Sequence, residues 1–322
     1  MAAITLGRAL NEGLRKSMED DPKVLIMGED VGKLGGVFRI TDGLQKDFGE
    51  DRVIDTPLAE SGIIGTAIGL AMRGYRPVCE IQFDGFVFPA FDQITSQLAK
   101  IRYRSGGHVS MPVTIRIPFG GGIGAVEHHS ESPESYFCHT PGLKVVTCSN
   151  PVDAYYMIQQ TVSSDDPIIF FEPKRRYWDK AELDTGLSPG PLHSARVLRS
   201  GRDVTVLAYG PTVKTVLDAA ALDDAPDIEV VDLRSLSPLD MDTVLASVRR
   251  TGRCVVVHEA PSNLGIGAEL AARITEDAFY SLEAPVLRVT GFDTPYAPAR
   301  LEEYYLPDLD RVLDTVDRVL AY

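Results

Sequence analysis

Residues 55–93 read DTPLAESGIIGTAIGLAMRGYRPVCEIQFDGFVFPAFDQ. Thr56 as N-cap and Pro57 at the first helical position predict a helix start. Ile64, Ala67, Ile68 and Ala71 then recur at helical spacing. Glu60 precedes Ile64 by four residues and shares its inward face. Gly62, Thr66 and Gly69 form a second, small-residue row that lets a neighbouring backbone approach closely. Two readings of Glu60 stay open. An acid in a first helical turn is favoured by the helix dipole. A carboxylate held dry at the same place has a raised pKa and can hand a proton to a buried partner. A turn, a short strand and an aromatic-rich helix follow.

The 322 residues suit two domains, and the composition is that of a soluble globular chain. The net charge is −14, with Lys and Arg scattered. This argues against nucleic acid and anionic membrane surfaces as partners. The acidity serves solubility or docking to a basic partner. Cys79, Cys138, Cys148 and Cys254 are far apart and form no CxxC pair, which fits a reducing compartment. The N-terminus has no apolar signal core and reads as an amphipathic helix over 3–20. With no run long enough to span a bilayer, the expected location is cytoplasmic.

Outward from the opening stretch, strands alternate with helices on both sides. Val24–Met27, Val113–Ile117, Val145-Val146 and the all-apolar Ile168–Phe171 read as strands, the last suited to a sheet covered on both faces. Pro89 to Tyr103 continues as a helix, and Pro151 starts another. Residues 173–203 are polar, rich in Pro and Gly, and aperiodic, as an inter-domain connection is. The rhythm then resumes with strands at Val204–Ala208, Ile228–Asp232, Cys254–His258 and Val286–Val289, and helices between. The expectation is an α/β fold with a largely parallel sheet in a first domain, followed by a smaller α/β domain.

Among chemistry-bearing residues, Glu127, His128, His129, Glu131, Glu134 and His139 lie in or just after a glycine-rich loop, 118–142. HExxH is absent, and adjacent histidines rarely both ligate one ion, so the pattern favours acid/base or anion-binding work over a metal. No GxSxG elbow is present. The glycines of 28–36 and of GIGAEL at 265 make neither a Walker A sequence nor a full dinucleotide fingerprint. Gln82, Phe86 and Phe88 read either as pocket lining or as core.

Taken together, the opening stretch, IRYRSGG, HSESPESYFCHTPGLKVV, PIIFFEPK, VVDLRSLSPLD, HEAP and GFDTPYAP resemble the beta subunit of thiamine-diphosphate-dependent 2-oxo acid dehydrogenases, in order and over essentially the whole chain. EIQFDGFVFPAFDQI, HSESPESYF and FFEPK look closer to the branched-chain enzymes than to the pyruvate ones. The resemblance implies a transketolase-like architecture. Residues 1–185 would be a pyrimidine-binding domain, 186–200 a linker and 201–322 a C-terminal domain. It implies an alpha2-beta2 heterotetramer in which the alpha subunit holds Mg2+ and the diphosphate; this chain has no GDG. Glu60 would hydrogen-bond N1′ of the aminopyrimidine and activate the cofactor. Leu58, Gln82 and Phe86 match positions that contact that ring, with Phe86 where a family member has Tyr. His129 matches the active-site histidine, with a one-residue ambiguity toward His128. Its implied work is to hold the substrate carboxylate or the intermediate and to assist acyl transfer to lipoyl. A structural potassium site is implied near Val113, Thr114, Thr161, Ser164 and Asp166. The implied activity is oxidative decarboxylation of branched-chain 2-oxo acids, with acyl transfer to the lipoyl domain of the dihydrolipoyl acyltransferase core. Pyruvate or acetoin as substrate, or a non-catalytic docking subunit, are the alternatives.

Overall fold

The computed structural model describes residues 3–183 and 190–322. The first sheet has seven strands in the order Ser235–Ser237, Lys144–Thr147, Ile168–Pro173, Thr114–Phe119, Arg76–Glu80, Val24–Gly28 and Val53–Asp55. All neighbours are parallel except Ser235–Ser237, which runs antiparallel to Lys144–Thr147. The second sheet has five, in the order Leu287–Gly291, Cys254–Pro261, Val204–Ala208, Ile228–Asp232 and Arg196–Arg199, with only the last pairing antiparallel. The apolar strands are buried along their length because helices cover the sheets. Helices Leu6–Asp20 and Pro151–Ser163 pack on one face of the first sheet. Helix Glu60–Met72 packs on the other through Ile63, Ile64, Ala67 and Ala71. The core on that side runs on into the second domain, through Leu233, Leu236 and Leu270. Among the described residues no helix is long and apolar enough to cross a membrane.

Several expectations shift. Residues Ala3–Thr5 are a strand, paired antiparallel with Lys180–Glu182, and Thr5 caps the helix that begins at Leu6. The helix expected from Thr56-Pro57 begins at Glu60, because the Thr56 N–H is spent on Gly28 O at 2.9 Å, prolonging the strand. The region expected as one helix from Pro89 is a 3-10 segment, Asp84–Ala90, then a π segment, Gln93–Leu98, then Ala99–Arg104. The small-residue row receives no neighbouring backbone in this chain: a Cβ added at Gly69 would find no atom within 4 Å, and one at Gly62 would meet only Ala59 Cβ, at 3.6 Å. The expected boundary at 185 lies outside the described residues. The expected linker, 186–200, is not loop throughout. Arg196–Arg199 is a strand of the second sheet, pairing with Ile228–Asp232.

The strand Ser235–Ser237 stitches the second domain's chain onto the first sheet, and polar side chains gather at that crossing. Ser149 Oγ and the Arg234 N–H donate to Asp232, and Arg234 meets Asp153 at 3.2 Å. Burial, and after it the Asp153 charge, push the Asp232 carboxyl up to about 7. Between the ordinary 3.8 and about 7 the folded chain therefore holds a proton there that the unfolded chain lacks, so stability falls as pH rises through that window. Asp232→Asn removes this dependence. The melting temperature of the variant relative to wild type is expected to climb between about pH 5 and about pH 8. A difference that stays flat across that range would contradict the account.

Candidate active site

The candidate residues collect at the carboxyl ends of the parallel strands, where open α/β sheets bind ligands. Glu29 follows Val24–Gly28, Glu60 follows Val53–Asp55, Gln82 to Phe86 follow Arg76–Glu80, the histidine loop follows Thr114–Phe119, and Lys174 follows Ile168–Pro173. Glu60 is the first residue of its helix and only 8% exposed, while Leu58 beside it is 80% exposed. A carboxylate is thus tucked in where a leucine stands out. Glu29 faces it: burial first, and then the charges of Glu60 and Asp30, raise the Glu29 pKa. Gln82 Nε2 reaches Glu29 O and Asp30 Oδ2, each at 3.4 Å.

The two histidines part company. His128 is exposed and lies 3.8 Å from Glu127 Oε1. His129 turns inward, stacked on Phe83 with ring centroids 4.0 Å apart and edge-on to Phe86 at 5.1 Å. Burial, and then the neighbouring His128, lower its pKa, so its ring is neutral at pH 7. Beneath it Lys174 and Asp84 form a fully buried ion pair. Burial outweighs Lys174 in setting Asp84, pushing it up to about 6.

The glycine loop before the histidines is held by the second domain. Glu302 accepts from Gly122 N–H at 2.8 Å and Gly124 N–H at 2.9 Å, and Tyr296 OH bonds Glu302 at 2.7 Å. Glu259 accepts from Gly121 N–H at 2.9 Å and pairs with Arg175 at 2.6 Å. Gly122 and Gly124 have φ of 89° and 69°, a backbone that glycine adopts without strain.

Some expected members stay apart. Glu134 is buried toward the second domain, bonded to Tyr209 OH at 2.6 Å, and burial raises it to about 7. His139 is exposed. Among the described residues no group of three or more His, Cys, Asp or Glu could hold a metal ion. Sequence reading missed Glu29, Phe83, Asp84, Lys174, Glu259 and Glu302; the one signal was a lysine directly after the buried strand Ile168–Pro173.

At the potassium positions the backbone carbonyls already accept hydrogen bonds within the chain. Val113 O accepts from Ile168 N–H at 3.0 Å, Thr161 O from Ser164 N–H at 3.1 Å, and Ser164 O from Arg76 at 3.0 Å. Arg102 holds one Asp166 oxygen and Lys144 the other. Thr161 Oγ1 is buried without a partner. A guanidinium, Arg76, and two cations on the Asp166 side chain thus stand among these positions. The rim around Glu60 is different. Glu29 Oε1 and Thr56 Oγ1 are buried without hydrogen-bond partners there, and His129 Nδ1 is likewise unpartnered on its own loop, so polar capacity is held in reserve beside an exposed leucine. An unpartnered carboxylate oxygen and hydroxyl beside an exposed leucine fit a polar heteroaromatic ring with an apolar face.

A parallel-sheet domain with a carboxylate at its strand ends, closed by a second α/β domain, is the architecture of the transketolase class. Residues 2–179 match the family model described as transketolase, pyrimidine binding domain, and 193–312 match transketolase, C-terminal domain. The chain is 63% identical to the pyruvate dehydrogenase E1 component subunit beta of Leifsonia xyli subsp. xyli, covering 99% of this chain and 96% of that one. It is 57% identical to the 3-methyl-2-oxobutanoate dehydrogenase subunit beta of Mycobacterium tuberculosis, over 99% and 92%. It is 47% identical to the pyruvate dehydrogenase E1 component subunit beta of Bacillus subtilis, over 100% of both. A solved split-gene transketolase, an inactive beta4 tetramer, shares the fold with a TM-score of 0.82 over 99% of both chains at 22% identity. The chain belongs to the beta subunits of 2-oxo acid dehydrogenases.

Proposed function

We propose that this chain is the pyrimidine-binding half of a thiamine-diphosphate site, completed by an alpha subunit that carries Mg2+ and the diphosphate. The reading is supported above all by Glu60, a nearly buried carboxylate beside which this chain leaves Leu58 exposed and Phe86 half-buried. The reaction is oxidative decarboxylation of a branched-chain 2-oxo acid, with the acyl group passed to the lipoyl group of an acyltransferase core. Thiamine diphosphate, when bound, supplies the electron sink that lets carbon dioxide leave. Glu60 holds and moves the proton at N1′ of the aminopyrimidine. Leu58 and Phe86 give that ring its apolar faces, and the Gln82 amide gives it a hydrogen-bonding edge. Neutral His129, stacked on Phe83, presents a ring nitrogen to the substrate carboxylate and to the acyl group during transfer. Four free cysteines support a cytoplasmic setting.

Branched acids are favoured by the motifs around Phe83, His129 and Lys174 and by the 57% identity to a chain named for 3-methyl-2-oxobutanoate. Pyruvate is the second reading, favoured by the 63% identity to a chain named for pyruvate. Turnover by the co-expressed alpha–beta complex separates them. The kcat/KM for 3-methyl-2-oxobutanoate is expected to exceed that for pyruvate by about tenfold or more, the discrimination that added methylenes allow in an apolar pocket. The reverse order would assign the chain to pyruvate.

A further inference from the structure

Both side chains of the Lys174–Asp84 pair are fully buried. A buried ion pair adds little to stability over apolar residues of the same volume, so stability does not account for it. Its connections lead instead to the histidine loop. One Asp84 oxygen takes Lys174 Nζ; the other accepts the Glu131 N–H at 2.8 Å, two residues beyond His129. Glu131 O is held in turn by the Gly120 N–H at 2.9 Å. The residues on either side of Asp84 grip the same segment. Phe83 stacks on the His129 ring, and Lys174 lies 5.8 Å from the centroid of that same Phe83. Gly85 lets the His128 backbone lie so close that an added Cβ would be 2.5 Å from His128 O. Three consecutive residues thus hold the segment 128–131 by a bond, a stacked ring and a close backbone approach.

We propose that Asp84, anchored by Lys174, is a positioning residue for His129, fixing the segment that presents the imidazole to the substrate. The inference rests on the role given to His129 above. It requires a carboxylate, because only two acceptor oxygens serve Lys174 and the Glu131 N–H together. Asparagine has one acceptor and must release one of them.

The test is a cycle of Asp84→Asn, His129→Ala and the pair of them, each in the complex co-expressed with its alpha subunit. The readouts are kcat and KM for the 2-oxo acid, with assembly and melting temperature. Asp84→Asn is expected to lower kcat by about tenfold to a hundredfold, the scale of a misplaced group, and to cost nothing further once His129 is alanine. An equal loss in both backgrounds, or none in the wild-type background, overturns the proposal. Wild-type turnover in His129→Ala instead overturns the role of His129 itself. Combining Asp84→Asn with Lys174→Met leaves one acceptor for one donor and is expected to restore most of kcat. An assembled pair that restores nothing counts against the proposal. Failure of both Asp84 variants to assemble also overturns it, because the pair would then serve the fold.

Discussion

Glu60→Gln, in a complex co-expressed with the alpha subunit, is expected to lower decarboxylation by about two to four powers of ten while assembly and melting temperature hold. Glutamine keeps the volume and one acceptor oxygen but cannot take up or release a proton at N1′. The two readings of Glu60 separate here. If its work were only to complement the helix dipole, the change would remove about 0.3–1 kcal/mol of stability and leave turnover alone. The surroundings argue for the chemical role. Glu60 sits against a second carboxylate, Glu29, whose pKa it helps to raise, a costly arrangement if stability were its purpose. The measurement is single-turnover decarboxylation under saturating cofactor. Wild-type rates from an assembled Glu60→Gln complex would return Glu60 to the dipole reading.

The parts of this site that were legible in the sequence are those set by local pattern. Apolar runs broken by turns gave the parallel strands, and the candidate site residues fall at their carboxyl ends. Glu60 was visible as an acid on an apolar helical face. What stayed hidden depends on pairing between distant strands. The helix start moved from Thr56 to Glu60 because the Thr56 N–H follows the strand and bonds Gly28 O, a contact no window around residue 56 contains. Lys174 looked like part of a polar connector, yet it is buried, because Asp84, far off in the chain, provides its counter-charge. The histidine pair could not be split by spacing, since two adjacent loop residues have no period. Phe83 decides it by offering a flat face to one ring only. A strand at the end of the expected linker stayed hidden for a related reason: Arg196–Arg199 has a partner strand more than thirty positions away, and polar strand edges resemble loop.

The same pairing places Arg116 where its removal has the largest expected effect on stability. Arg116 lies in a strand directly across from Glu80, and both its flanking strands bring carboxylates to it. Its guanidinium is fully buried; it meets Glu80 at 2.7 Å and clamps Glu172 with two bonds of 2.6 and 3.0 Å, while Tyr177 OH gives Glu172 a further bond at 2.6 Å. Burial raises the Glu80 pKa even with Arg116 beside it. Arg116→Leu leaves two buried carboxylates without their cation, which costs about 3–5 kcal/mol. For a domain of this size that lowers the melting temperature by roughly 10 °C. The loss is also expected to depend on pH. Stranded carboxyls escape by binding protons that the unfolded chain does not hold at neutral pH, so the variant weakens further as pH rises from about 5 to about 8. Adding Glu80→Gln and Glu172→Gln to Arg116→Leu removes the stranded charges and is expected to flatten that pH dependence. Calorimetry of the assembled complex at the two pH values reads both effects. A variant that melts within about 2 °C of wild type at both would mean that the glutamates are neutral in the native protein and that Arg116 compensates no charge there.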